Sequence, residues 1–136
     1  VNDQPKENST VRILVVDDSL LIRTLVQETL LKAGFSVFTA RDGLEAWALL
    51  QKESVHLIVV DMTMPPPDGL ELTRMIRADQ RLSLLPIILM SAIETKEDQR
   101  RGLICGANAF ILKERHDLEL LAVRIAQLLE VGTTLS

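Results

Sequence analysis

Apolar and polar positions along this chain follow two alternating patterns. Short apolar-rich runs occur at Val11 to Val16, Ser36 to Ala40, His56 to Val60, Pro86 to Met90 and Ala109 to Leu112. Each is followed by a stretch in which Leu, Ile, Val and Ala recur every three or four residues. Runs rich in Val, Ile and Leu read as strands covered on both faces, as in a parallel sheet, and the periodic stretches read as helices. Ser19 caps the first helix, whose apolar side carries Leu21, Ile22, Leu25, Val26 and Leu30, and Gly34 stops it. Asp42-Gly43-Leu44-Glu45 and Asp68-Gly69-Leu70-Glu71 both place an acid at the N-cap and Glu three residues on, the spacing of a capping box. The first precedes Ala46, Trp47, Leu49 and Leu50, and the second Leu72, Met75 and Ile76. Thr95-Lys96-Glu97-Asp98 opens a fourth helix ending near Gly106. Asp117 starts a last one that uses Leu121, Ala122, Ile125, Leu128 and Leu129. Five β-α units in alternation predict an α/β three-layer sandwich with a five-stranded parallel sheet. The expected order is the flavodoxin-like 2-1-3-4-5.

Composition narrows this picture. A chain of 136 residues, 47% hydrophobic and 25% charged, is one globular domain able to bury its own core. A net charge of −4, with one Trp, three Phe and no Tyr, argues against direct nucleic-acid binding and against a base-stacking surface. The single Cys105 excludes an internal disulfide, fits a reducing cytoplasm, and reads as a small buried residue near a helix end. No apolar run approaches the roughly 18 residues a membrane span needs, and no stretch of these residues reads as a signal peptide. Val1 to Thr10 is polar and contains Pro5, so 1–10 reads as a linker, 11–131 as the domain and 132–136 as a flexible end. The start at Val1 rather than Met suggests a piece of something longer.

The chemistry sits where strands end. In open parallel sheets the carboxyl ends of the strands share one edge, and ligands bind there. Strand one ends in Asp17-Asp18, strand three in Asp61, strand four in Ser91-Ala92 and strand five in Lys113. Strand two, ending in Ala40-Arg41, lies to the side. Three carboxylates meeting in one pocket repel one another, and some of their pKa values should rise. A hard cation such as Mg²⁺ relieves that repulsion. The metal and Lys113 neutralise phosphoryl oxygens while Ser91 donates a hydrogen bond, so the set can surround a phosphoryl group. A carboxylate is a known covalent acceptor.

These residues carry a resemblance. VRILVVDDS (Val11 to Ser19), DMTMPPPDG (Asp61 to Gly69), PIILMSA (Pro86 to Ala92) and GANAFILK (Gly106 to Lys113) resemble the receiver domain of two-component response regulators, over about Val11 to Leu129. The resemblance implies a phosphorelay signalling module rather than a turnover enzyme, one that promotes its own phosphorylation and dephosphorylation. Asp61 would take a phosphoryl group from a histidine kinase or phosphotransfer domain. Asp18 would be a direct Mg²⁺ ligand, Asp17 a second acid acting through water, and the Thr63 carbonyl a further metal ligand. Ser91 and Phe110 stand at the family's switch positions, and Lys113 at its active lysine. The resemblance also allows a homodimer through the face of helix four, strand five and helix five. Thr63 and Ile93, two residues beyond Asp61 and Ser91, would border the path of attacking water.

Taken singly, each motif has a plainer reading. Asp17-Asp18 could cap a helix, Met64-Pro65-Pro66-Pro67 could be a rigid loop, Lys113 could be a surface lysine and Phe110 core. His56 and His116 lack metal-ligand spacing and read as structural or exposed. An aspartyl-phosphate phosphatase of the haloacid dehalogenase type needs an acid two residues after its nucleophile. Thr63 occupies that position, which disfavours the reading. No G-x-G-x-x-G or P-loop follows strand one. Glu114 stands where most receivers have proline. With the stretch Lys96 to Leu103, it is similar to receivers fused to chemotaxis-type histidine kinases, the alternative being a stand-alone or N-terminal regulator. A non-proline cis bond costs about 2.5–4 kcal/mol, so the Lys113-Glu114 bond is expected to be trans.

Overall fold

The computed structural model describes residues 11–92 and 95–135. The expected linker over 1–10, Ile93 and Ser136 lie outside the described residues. Five parallel strands, β1 (Arg12–Val16), β2 (Ser36–Ala40), β3 (Leu57–Asp61), β4 (Ile87–Ser91) and β5 (Ala109–Leu112), form one sheet in the order β2-β1-β3-β4-β5. The helices are α1 (Leu20–Lys32), α2 (Gly43–Lys52), α3 (Gly69–Ala78), α4 (Lys96–Cys105), α5 (Arg115–Glu119) and α6 (Leu121–Leu135).

Alternate residues of each strand point to opposite layers. Leu14, Val16, Ile58, Val60, Ile87 and Leu89 pack with Ala46 and Leu50 of α2 and Leu72 and Ile76 of α3. Ile13, Val15, Leu57, Val59, Ile88 and Met90 pack with Val26 and Leu30 of α1 and Leu121 and Ile125 of α6. Both faces being covered is why β3 and β4 read as unbroken apolar runs rather than alternating ones.

Strand bounds differ from expectation by one residue at the functional edge. Met62 N donates to Met90 O at 2.7 Å and Lys113 N to Ser91 O at 2.8 Å, so the ladder runs past the apolar residues. Asp61 and Ser91 are thereby the last residues of β3 and β4, held by strand geometry rather than by loops. At the other end Pro86, having no N–H, lies outside β4, and only its carbonyl joins the ladder, accepting from Ile58 N at 3.0 Å.

Two helix starts depart from the sequence reading. Asp68 and Glu71 close a true capping box, with both hydrogen bonds at 2.8 Å. Asp42 accepts from Glu45 N at 2.8 Å, but the Glu45 carboxylate takes Arg41 N instead, at 2.7 Å. The N-cap φ is −158° at Asp42 and −79° at Asp68. That rotation turns the preceding peptide and presents a different N–H. Asp117 does not start the last helix either. It lies within α5, and its Oδ2 accepts from Leu112 N at 2.9 Å, satisfying the final donor of the edge strand β5. Leu120 N then approaches both His116 O and Asp117 O at 3.2 Å, which separates α5 from α6. The helix α6 continues to Leu135, past the boundary drawn at 131.

The apolar side of α1 is narrower than its spacing suggests. Val26 and Leu30 are fully buried, whereas Leu21 and Leu25 are 67% and 43% exposed. Ile22 and Leu25 instead line a groove shared with Arg115, Leu118 and Glu119 of α5. Trp47 and Leu49 are likewise only partly buried. Arg77 ties α3 to the base of α4. Its guanidinium donates to Gly106 O (2.9 Å), Ser83 O (3.1 Å), Leu85 O (2.7 Å) and Asn108 Oδ1 (2.9 Å).

Candidate functional site

Sheet register assembles the site. Val16 pairs with Val60, so Asp17 follows level with Asp61, and Ser91 pairs with Leu112, so Lys113 follows beside it. Lys113 Nζ lies 2.8 Å from Asp17 Oδ2 and 2.8 Å from Asp61 Oδ2. The other oxygens of both acids take backbone donors. Ser19 N donates to Asp17 Oδ1 at 2.8 Å and Thr63 N to Asp61 Oδ1 at 3.1 Å. Asp17 and Asp61 are buried and Asp18 is exposed, yet one carboxylate oxygen from each lies within 4.8 Å of the others. A cavity of about 360 Å³ opens above them. Asp18, Asp61, Thr63, Ser91, Ala92 and Lys113 line it from the strand ends, and Asp98 lines it from the first turn of α4.

The electrostatics follow from burial and like charge. Desolvation raises the Asp61 pKa above the usual carboxylate value, and the charge of Asp17 adds to the rise. The Lys113 hydrogen bond and the Thr63 N–H oppose it without cancelling it. For Lys113, desolvation alone would lower the pKa, but hydrogen bonds to Asp17 and Asp61 outweigh it, so the ammonium is held charged. Three carboxylates against one ammonium leave two negative charges uncompensated. Asp17 Oδ2 is buried and, apart from its ion pair to Lys113, has no aligned hydrogen-bond partner. An all-oxygen donor set with spare buried acceptor capacity and a deficit of two positive charges fits a hard divalent cation.

Sequence reasoning located Asp17, Asp18, Asp61, Thr63, Ser91 and Lys113, and the fold brings all six together. Phe110 lies outside the cavity, packed in the layer between the sheet and α4. A Cβ on Gly102 of α4 would sit 3.9 Å from its ring. Among the described residues the only cis peptide bond is Pro66–Pro67, so Lys113-Glu114 is trans, as the absence of proline requires. Glu114 is the exposed N-cap of α5 and makes no side-chain capping bond. Ile93 lies outside the described residues. Two contributors were missed. Arg23 Nη1 donates to Asp17 O at 2.8 Å and steadies the acid-bearing turn. Asp98 reaches the cavity from α4. The signal for Arg23 was its place one turn beyond the Ser19 cap, whereas Asp98 read only as a helix-start acid.

Comparison with known proteins agrees with this geometry. The sequence pattern of the family described as the response regulator receiver domain matches residues 13–125. A chemotaxis protein CheY homolog of Campylobacter jejuni is 37% identical over 105 residues, covering 76% of this chain and 81% of that protein. A gliding motility regulatory protein of Myxococcus xanthus is 39% identical over 119 residues, 87% of this chain, but the chain spans only 15% of that protein's length. Among solved structures, a chemotaxis response regulator of Vibrio cholerae superposes with a TM-score of 0.79 at 32% identity, covering 86% of this chain and 97% of that one. The signal receiver domain of a signal transduction histidine kinase from Syntrophus aciditrophicus gives 0.80 at 32% identity, covering 88% and 90%.

Proposed function

The chain belongs to the response regulator receiver family, the phosphoacceptor modules of two-component signalling, and from that premise we propose that Asp61 is its phosphoacceptor. The observation that carries the assignment is the placement of Asp61. It is buried at the end of a central strand, with Lys113 on one oxygen, Thr63 N–H on the other and the open cavity above. The donor is a phosphohistidine of a histidine kinase or phosphotransfer domain. An Asp61 carboxylate oxygen forms the new bond to phosphorus as the phosphorus–nitrogen bond breaks, and the imidazole keeps that electron pair.

Lys113 is placed to follow the negative charge as it moves to the phosphoryl oxygens, and the Ser91 hydroxyl to donate to one of them. Asp18, Asp61 and the Thr63 carbonyl would hold Mg²⁺ directly, with Asp17 acting through water. When bound there, Mg²⁺ supplies positive charge to the phosphoryl oxygens. Incubation with acetyl phosphate and Mg²⁺ should add the mass of one phosphoryl group per chain, and a chelator should prevent the gain. Absence of any adduct with the metal present overturns the reading, and an equal adduct under chelation removes the metal from it.

The same site drives a switch. Ser91 moves toward the phosphoryl group, Phe110 turns into the vacated space, and the face of α4, β5 and the last helical segment, α5 with α6, changes in population rather than being newly built. That face exposes Leu103 and Ile104, where a partner or a second copy can dock. Backbone amide shifts of α4 recorded with and without beryllofluoride should differ, and unchanged shifts would leave the switch unsupported.

In its wider setting the chain is a cytoplasmic signalling module, carried within a hybrid histidine kinase. Glu114 and the Lys96 to Leu103 stretch support that setting, as does the likeness to a receiver from a histidine kinase. Among the described residues no helix is long and apolar enough to cross a membrane.

A further inference from the structure

Asp98 lines the site without a role in phosphoryl transfer to Asp61. Its position in the first turn of α4 has an ordinary explanation, because an acid there interacts favourably with the helix N-terminus. Thr95 Oγ1 accepts its backbone N–H at 2.9 Å, which completes the cap without the Asp98 side chain. Asp98 lines the cavity that Asp18, Asp61, Thr63, Ser91 and Lys113 line from the strand ends, and on its other side it lines a smaller pocket with Arg101. It is not one of the three acids whose oxygens lie within 4.8 Å of one another, and it joins the lining from α4 rather than from a strand end. Among the described residues its only partner is Arg101, with Nη1 3.6 Å from Oδ1, a distance too long for a hydrogen bond. Its side chain is 30% exposed. A partly shielded carboxylate with free acceptor capacity, in a cavity of about 360 Å³ where one water takes about 30 Å³, has room to hold water against whatever occupies Asp61.

We propose that Asp98 sets the lifetime of the phosphorylated state by orienting the water that hydrolyses it, with Arg101 tempering the effect. The inference rests on Asp61 being the phosphoacceptor. The water oxygen forms a bond to phosphorus as the bond from phosphorus to the Asp61 oxygen breaks, and that electron pair returns to Asp61 as carboxylate. The water proton passes to Asp98 and from there to the departing phosphate. Asp98 is thus a hydrolysis residue placed on α4, whose face the proposed switch changes, while Lys113 and Asp17 belong to the sheet edge.

The test uses the chain phosphorylated with acetyl phosphate, freed of donor, and followed by intact mass. Asp98→Asn keeps the shape and the helix cap but removes the acceptor for the proton. Its phosphoryl group should decay about a hundredfold more slowly than that of wild type, at the low end of what a positioned base contributes. The solvent deuterium isotope effect on decay should shrink as well, a readout that a purely structural role would not move. Arg101→Ala leaves Asp98 in place and unshielded and should shorten the lifetime, so the proposal stays testable if Asp98→Asn folds poorly. An Asp98→Asn lifetime equal to wild type, at the same extent of phosphorylation, overturns the proposal. Wild type that takes no phosphoryl group fails one step earlier and overturns the assignment of Asp61 instead.

Discussion

Asp61→Asn should lose the phosphoryl adduct completely while gaining resistance to denaturation at neutral pH. The loss follows because the amide has no carboxylate oxygen to bond phosphorus, and no other acid sits where Asp61 does. Asp17 is enclosed by Lys113 and Ser19 N–H, and Asp18 is exposed at the rim. The gain follows from burial. The folded state raises the Asp61 pKa, chiefly through desolvation and then through Asp17. A carboxyl whose folded pKa is raised stabilises the fold below its unfolded pKa, and that contribution is lost as pH rises through the folded value. At neutral pH wild type therefore carries the cost of a buried charge that Asn does not. Lys113 keeps Asp17 as a partner in the variant. Denaturation in the presence of a chelator should show the advantage of Asp61→Asn opening as pH rises through the folded Asp61 pKa and closing in acid. A phosphoryl adduct at the wild-type level in the variant would sink the assignment of Asp61. An advantage that grew in acid would sink the electrostatic account.

Gly69→Ala should damage fold and site together. Gly69 is the buried first residue of α3, and its N–H donates to Met62 O at 3.2 Å. A Cβ there would overlap the Asp61 carbonyl oxygen and come within 2.8 Å of Met62 Cα. Both obstacles are backbone at the end of a central strand and cannot rotate away. The expected loss is about 2–3 kcal/mol, the upper part of the range for overpacking, read from the urea midpoint. Displacing the end of β3 also pulls Asp61 from Lys113, so phosphorylation by acetyl phosphate should slow by about tenfold, the equivalent of about 1.4 kcal/mol. Gly102→Ala is the control. The Cβ there meets the Leu89 Cδ1 tip at 2.7 Å, which a rotamer change can relieve, so its loss should be clearly smaller. Equal losses in the two variants would remove the argument from backbone rigidity.

Much of this was legible in the amino-acid order. A strand covered on both faces must be apolar throughout, so β1, β3 and β4 announced themselves, and the polar residue that ends each run marked the sheet edge where Asp17, Asp18, Asp61 and Ser91 stand. Helix starts were legible for the same local reason, since Ser19, Asp68 and Thr95 satisfy the N–H groups of the turn just beyond them. The missing proline at Glu114 was enough to expect a trans bond.

What the amino-acid order left undecided depends on neighbours distant in the chain. Lys113 bridges Asp17 and Asp61 because the order β2-β1-β3-β4-β5 and the pairing of Val16 with Val60 put three strand ends side by side. Nothing local to Lys113 separates it from a surface lysine. Asp61 and Ser91 became strand residues because the ladders continue at Met62 and Lys113. Leu21 and Leu25 stayed exposed because only one side of α1 meets the sheet. Asp98 reached the cavity through the path of α4 across the sheet edge. Local periodicity decides which residues can form an element, since capping and burial patterns act over a few residues. Register and the approach of one layer to another decide which side chains meet, since those contacts join positions tens of residues apart.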